Sequence, residues 1–188
     1  MSGNERGSGY KEILVNDFTE VSARKFREDF LYEAAQDLKR PIIVWIDSNG
    51  GDVDALATMV ETIKSVPNKI VTACIGKAQS CGAILLSFGD ERYCGEYSRI
   101  MVHGFSALHS RTPTPEHLID ATESLRLESF WLGQFAKNCK IEGGLAILRQ
   151  KIKDGDGKIW LDAEGAKAFG LVDCVGIPKV KSEISFSM

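Results

Sequence analysis

The chain has 188 residues, of which 26 are acidic and 23 basic, giving a formal net charge of -3 at pH 7. This balance lacks the positive excess of a nucleic-acid-binding protein, and no apolar run approaches the roughly 20 residues that cross a bilayer. With 44% hydrophobic residues, the sequence predicts one soluble domain with a well-buried core and neither nucleic-acid nor membrane partners.

Five cysteines are scattered along the chain, and none has the close spacing of a metal site. They are Cys74, Cys81, Cys94, Cys139 and Cys174. Their odd number and distribution favour free thiols in a reducing cytoplasm, and no pattern indicates a metal or a cofactor. Residues 1–10 are polar and glycine-rich without the apolar core of a targeting peptide, so we expect a flexible N-terminal segment and a cytoplasmic location.

Strand-like and helix-like patterns alternate through the first half of the chain. They predict strands at Glu12–Val15, Pro41–Ile46 and Lys69–Ile75, and helices at Val21–Leu38 (started by Thr19 or Ser22), Val53–Ser65 and Ala83–Phe88. This alternation predicts an α/β fold with repeated βαβ units and a mainly parallel sheet. Active sites in such sheets lie at the carboxyl ends of strands, where two glycine-rich turns fall, Ser48–Gly51 and Gly76–Gly82.

The second half of the chain predicts shorter strands and one long helix. The elements are strands at Arg92–Cys94, Ser98–Val102 and Ile159–Leu161, and helices at Pro115–Cys139, Gly143–Lys153 and Ala163–Phe169. The last helix has Asp162 as its cap and Gly170 as its stop. The long helix has more apolar residues than one surface stripe needs, so it is either a core helix or a handle that enters a subunit interface. We expect one domain over residues 11–178 and a loose tail over 179–188.

A serine and a histidine stand at the ends of two predicted strands. Ser80 lies in GKAQSCGA at the start of a helix, where unpaired backbone N–H groups favour the negative charge that a nucleophilic serine generates. The alternative is a tight turn without chemistry. His103 follows the strand Ser98–Val102, 23 positions after Ser80, and the side chains converge if the two strands are neighbours. Otherwise His103 merely ends a strand.

Four motifs, in order, resemble those of the Clp protease proteolytic subunit, ClpP, a serine peptidase of the ClpP/crotonase fold. IDSNGG resembles the NSPGG turn of that family, GKAQSCGA its serine motif, RIMVH its histidine motif and LDAEGAKAFGLVD its SAxEAxxYGLID signature. The resemblance covers roughly Lys11–Val175. It implies the ClpP/crotonase fold with a helical handle at about residues 115–139.

The resemblance also implies roles for individual residues. Ser80 is the nucleophile, His103 is the general base and acid, and the backbone N–H groups of Gly51 and Cys81 form the oxyanion hole. Cys81 as a nucleophile in its own right is an alternative. The other histidines, His109 and His117, are expected on the solvated surface.

The third catalytic residue departs from the family pattern. The orienting aspartate of the family lies two positions before the aromatic residue of the signature, and here Lys158 occupies that position before Trp160. Asp156, in the DGDG turn, is the nearest acid and our choice for this role. Asp154 is the alternative, as is a site in which no carboxylate reaches His103 and both acids make a solvated turn.

The resemblance implies hydrolysis of peptides or unfolded proteins through an acyl-enzyme, inside a homo-oligomer of stacked rings, possibly a tetradecamer, served by an AAA+ unfoldase. The start of the chain matches the pore loops of the family poorly, which leaves unfoldase docking open. Three alternatives remain: a catalytically weak or inactive ring subunit, an acyl-CoA enzyme like the crotonases, and a Ser/Lys peptidase that uses Lys77.

Overall fold

Seven strands form one sheet in the computed structural model, which describes residues 10–104 and 115–179. The strands are β1 (Lys11–Val15), β2 (Ile42–Ser48), β3 (Ile70–Gln79), β4 (Glu91–Cys94), β5 (Arg99–His103), β6 (Lys158–Leu161) and β7 (Cys174–Val175). The helices are α1 (Glu20–Gln36), α2 (Val53–Lys64), α3 (Cys81–Leu86), α4 (Pro115–Asn138), α5 (Gly144–Asp154) and α6 (Ala163–Ala168).

The sheet is parallel except at one edge. Its order is β1-β2-β3-β4-β7, and β5 pairs with both β3 and β6. Only the β5–β6 pair, among the strands of the described residues, is antiparallel. The predicted α/β fold with a mainly parallel sheet is therefore confirmed, while the two-residue strand β7 was not predicted.

Local signals in the sequence explain where the helices begin. Thr19 caps α1 in a reciprocal capping box with Ser22, so the two residues proposed as start signals act together. The Asp52 carboxylate accepts hydrogen bonds from the first turn of α2, and Asp162 caps α6 in the same way. Gly170, predicted to stop this helix, has a φ of 80°.

β3 is longer than the sequence predicts, and this extension positions Ser80. The prediction ended the strand at Ile75, but it continues through Gly76 to Gln79 because Gly76 adopts a φ of 72° that glycine tolerates. A Cβ on Gly76 would lie 2.9 Å from Oδ1 of Asp47. Before Gly76 the strand pairs with β4, and from Lys77 onward it pairs with β5. The end of β3 therefore delivers Ser80 beside β5.

The main core lies on one face of the sheet. Alternate residues of β2, namely Ile42, Val44 and Ile46, join the main cluster with side chains of the helices. Ile43 belongs to a smaller cluster on the other face, against which the partly buried Trp45 packs. The apolar run of β2 is thus buried on both faces, as predicted.

α4 is apolar around much of its circumference. Trp131, Leu132 and Phe135 are buried, whereas Leu125 and Phe130 are 60% and 51% exposed. No helix in the described parts of the chain is long and apolar enough to cross a membrane. The flexible start, the loose tail and His109 fall largely or wholly outside the described residues, as does the side chain of His117.

Candidate active site

Ser80 occupies a strained turn between β3 and α3. Its φ of 53° and ψ of -118° are rare for a residue with a side chain. The turn is fixed on both sides, because the Ser80 N–H donates to the Met101 carbonyl at 2.8 Å and the Ser80 carbonyl accepts from Ile84 at 3.2 Å. The hydroxyl makes no capping bond to α3, so it is available for another partner.

That partner is His103. Gln79 pairs with Met101 in the β3–β5 register, which brings the two strand ends together and leaves His103 Nε2 at 2.8 Å from Ser80 Oγ. This is hydrogen-bond distance and the geometry that a general base needs to take the hydroxyl proton. For Nε2 to accept that proton, the imidazole must carry its own proton on Nδ1.

The surroundings of His103 keep its imidazole neutral. Burial lowers the pKa of His103 below its ordinary value of 6.5, the Lys158 ammonium lowers the pKa further, and the Glu128 carboxylate raises it. A neutral imidazole can accept a proton, so His103 is poised as a base at neutral pH.

The Gly50–Gly51 turn packs directly on the serine turn. A Cβ on Gly50 would lie 2.7 Å from the Ser80 Cβ, and a Cβ on Gly51 would collide with the Phe18 carbonyl oxygen. Cys81, the first residue of α3, donates its thiol hydrogen to the Gly51 carbonyl at 3.3 Å. The two residues expected to supply the oxyanion hole are therefore neighbours next to Ser80.

The Cys81 thiol is a poor nucleophile in this setting. Its side chain is buried, and burial raises the pKa of the thiol to about 11. The thiolate, which is the reactive form, is scarce at neutral pH. This disfavours the alternative of Cys81 as nucleophile.

On β6, Lys158 occupies the position from which a carboxylate could reach His103. The β5–β6 register pairs His103 with Lys158, and directly opposed residues in an antiparallel pair project to the same face. Asp156 lies in the turn before the strand with a φ of 53° and is exposed. Among the described residues, no hydrogen bond joins Asp156 or Asp154 to His103, and Asp154 accepts one from Gln150 at 2.6 Å. Asp156 as the third catalytic residue stays a prediction.

Glu128 of α4 is an acid near His103 that the sequence did not indicate. Its Oε2 lies 3.1 Å from the position that a Cβ would take on Gly104, the residue after His103. The residue is 25 positions beyond His103 on a different element, so no local spacing marks it. The described residues contain no cluster of histidine, cysteine, aspartate or glutamate that could hold a metal.

Known proteins resemble this chain over most of its length. The model of the Clp protease family matches residues 11–179. Proteolytic subunit 3 of the ATP-dependent Clp protease of Synechococcus sp. (strain CC9605) is 36% identical over 166 residues, which cover 87% of this chain and 80% of the relative. Proteolytic subunit 2 from Prochlorococcus marinus (strain MIT 9312) is also 36% identical, with 87% and 79% covered. Subunit 3 from Rhodococcus jostii (strain RHA1) is 32% identical, with the same coverage. The chain therefore belongs to the Clp protease proteolytic subunit family.

Proposed function

We propose that this chain is a serine peptidase that hydrolyses peptides or unfolded proteins through an acyl-enzyme. The observation that carries the proposal is the 2.8 Å contact between Ser80 Oγ and His103 Nε2, made by a serine in a strained turn. A serine hydroxyl is a weak nucleophile alone and becomes effective when an adjacent base takes its proton.

The reaction proceeds in two halves. As Ser80 Oγ attacks the peptide carbonyl carbon, its proton passes to His103 Nε2, and the imidazolium then gives that proton to the leaving amine. The backbone N–H groups of Gly51 and Cys81 stabilise the oxyanion, and losing one such donor costs about 10²–10³ in turnover. Water, activated by the same imidazole, releases the acyl group and regenerates the serine.

The substrate binds as an extended strand beside Gly51, with main-chain hydrogen bonds giving affinity for many sequences. The relatives are named as subunits of an ATP-dependent protease. We extend that property to this chain as part of the proposal: it assembles into a homo-oligomeric chamber and works with an ATP-driven unfoldase.

A second candidate function is that of a catalytically weak ring subunit. Lys158 faces His103 in the β5–β6 register, and the described residues show no Asp156–His103 hydrogen bond. In serine proteases with a Ser-His-Asp triad, replacing the acid that orients the imidazole lowers turnover by about 10⁴.

Labelling with a fluorophosphonate probe and hydrolysis of a fluorogenic peptide test the proposal. The wild type should label at Ser80 and hydrolyse the peptide, and Ser80→Ala should do neither. Cys81→Ser is the matched control, because it alters the neighbouring side chain and keeps the backbone N–H. Labelling of Ser80→Ala at the wild-type rate would refute the nucleophile, and a folded wild type inert in both assays would favour the weak ring subunit.

A further inference from the structure

The Glu128 carboxylate is held beside the strand end that carries His103. Its Oε2 comes within 3.1 Å of the Cβ position on Gly104, so the missing side chain at Gly104 leaves room for the close approach. Its other oxygen, Oε1, accepts a hydrogen bond from Arg149 at 3.1 Å, and Arg149 also donates to Ser129 Oγ at 2.7 Å. These contacts restrict where the carboxylate can move.

The carboxylate is also shielded from water. The Glu128 side chain is 15% exposed, against 44% for Arg149. Charge interactions are screened less at partly buried positions than at the surface. The negative charge of Glu128 therefore acts on the imidazole more strongly than a surface carboxylate at the same distance would.

Two charges of opposite sign act on the imidazole from different elements. Lys158 on β6 lowers the pKa of His103, and Glu128 on α4 raises it. The other elements packed against β5 carry Lys77 on β3 and Glu164 and Lys167 on α6. Of the acids on these elements, Glu128 on α4 is the one whose charge raises the pKa of His103.

We propose that Glu128 is a positioning residue, whose carboxylate stabilises the His103 imidazolium as it takes the Ser80 proton, in place of an acid on β6. This inference rests on the proposed function, because during turnover the imidazolium forms as His103 takes the proton of Ser80 Oγ. The proton moves from Ser80 Oγ to His103 Nε2 and then to the leaving amine.

The test measures the protonation of His103 directly and separately from turnover. Diethyl pyrocarbonate acylates only the neutral imidazole, so the pH dependence of its rate at His103, followed by peptide mass spectrometry, gives the pKa. Glu128→Gln, which keeps size and removes charge, should lower the pKa of His103, and Lys158→Met should raise it. Glu123→Gln, on the same helix in an exposed ion pair with Arg126, should leave it unchanged.

The kinetic counterpart is the pH profile of peptide hydrolysis. In Glu128→Gln the acid limb of kcat/KM should move to lower pH. The value of kcat should fall about tenfold, which corresponds to a loss of about 1.4 kcal/mol of transition-state stabilisation. Glu128→Asp, which restores the charge, should recover most of the rate. If the rate falls while neither the pKa of His103 nor the acid limb moves, the role of Glu128 is merely structural. That result would overturn the inference.

Two further outcomes separate this inference from the proposed function. If the wild type is inert but Glu128→Gln still lowers the pKa of His103, the peptidase proposal is refuted and the coupling between the two residues stands. If Glu128→Gln does not fold, Arg149→Met removes the cation paired with the carboxylate and should raise the pKa of His103. An unchanged pKa in that variant would contradict the role of Glu128.

Discussion

At the scale of single residues, the site depends on backbone positions that admit little change. Ser80 holds a positive φ of 53° in a turn tied to β5 by the Met101 carbonyl. Gly50 has a φ of 94° and faces the Ser80 Cβ without a side chain of its own. Such strain persists only where the surrounding structure imposes it, so the turn around Gly50 and the turn around Ser80 fix each other.

Gly50→Ala tests this mutual fit. The new Cβ would lie 2.7 Å from the Ser80 Cβ and 2.8 Å from the Gln79 carbonyl oxygen, so one of the two turns must shift. We expect the fluorophosphonate labelling rate to fall at least about 10²-fold, because small displacements of reacting groups cost that much, with only a modest fall in melting temperature. Gly133→Ala, a helical site with open space around it, should label normally. Normal labelling of Gly50→Ala would show that the turns are independent.

The sequence predicts Ser80 and His103 better than it predicts what surrounds them. Ser80 is marked by its motif and His103 by its place at a strand end, and the prediction that they converge needed only neighbouring strands. Glu128 could not be found in this way, because its position beside His103 depends on how α4 packs. Asp156 is predicted only from its proximity along the chain, but it is exposed in a turn, and the register of β6 brings Lys158 opposite His103.

At the scale of elements, one arginine joins three parts of the fold. Arg92 of β4 donates through Nε and one terminal nitrogen to the Asp173 carboxylate, and through the other to the carbonyls of Asn138 and Gly170. Asn138 ends α4 and Gly170 follows α6, so the cation satisfies carbonyls at two helix ends. The local patterns predicted these helices, but not the long-range contact that connects them.

Arg92→Met should destabilise the fold by about 2–4 kcal/mol, because it leaves these acceptors without a charged donor. Urea unfolding of the wild type and the variant at neutral pH measures the difference. The control is Arg126→Met, which breaks an exposed ion pair and should leave the stability close to that of the wild type. Equal effects of the two substitutions would contradict the role of Arg92.

The same ion pair gives the fold a pH dependence of known sign. Arg92 lowers the pKa of Asp173 below its ordinary value of 3.8. A carboxyl with a lowered pKa in the folded state stabilises the fold above the unfolded pKa, and this stabilisation is lost as the pH falls through the folded value. The difference in stability between the wild type and Arg92→Met should therefore shrink in acid.

At the scale of the whole molecule, α4 exposes apolar side chains that a neighbouring copy in the proposed assembly would cover. Phe130 and Trp131 form an edge-to-face pair with centroids 5.1 Å apart, and Phe130 is half exposed. A cavity of about 340 Å³ lies between this pair and α2. Exposed apolar side chains grouped in this way mark interaction sites, which fits the ring assembly proposed above.

Leu125→Glu tests whether α4 holds the assembly together. Leu125 is 60% exposed, so a charge there should leave the fold of one subunit intact and still oppose burial against a neighbour. Analytical ultracentrifugation should find the wild type at a multiple of the 20.7 kDa chain mass and Leu125→Glu at a smaller multiple. Leu38→Glu is the matched control, since Leu38 is 59% exposed next to the end of α1, and it should assemble like the wild type. If Leu125→Glu keeps the wild-type mass, α4 is not the contact that builds the oligomer. If Leu38→Glu also loses that mass, the effect of a new surface charge is not specific to α4.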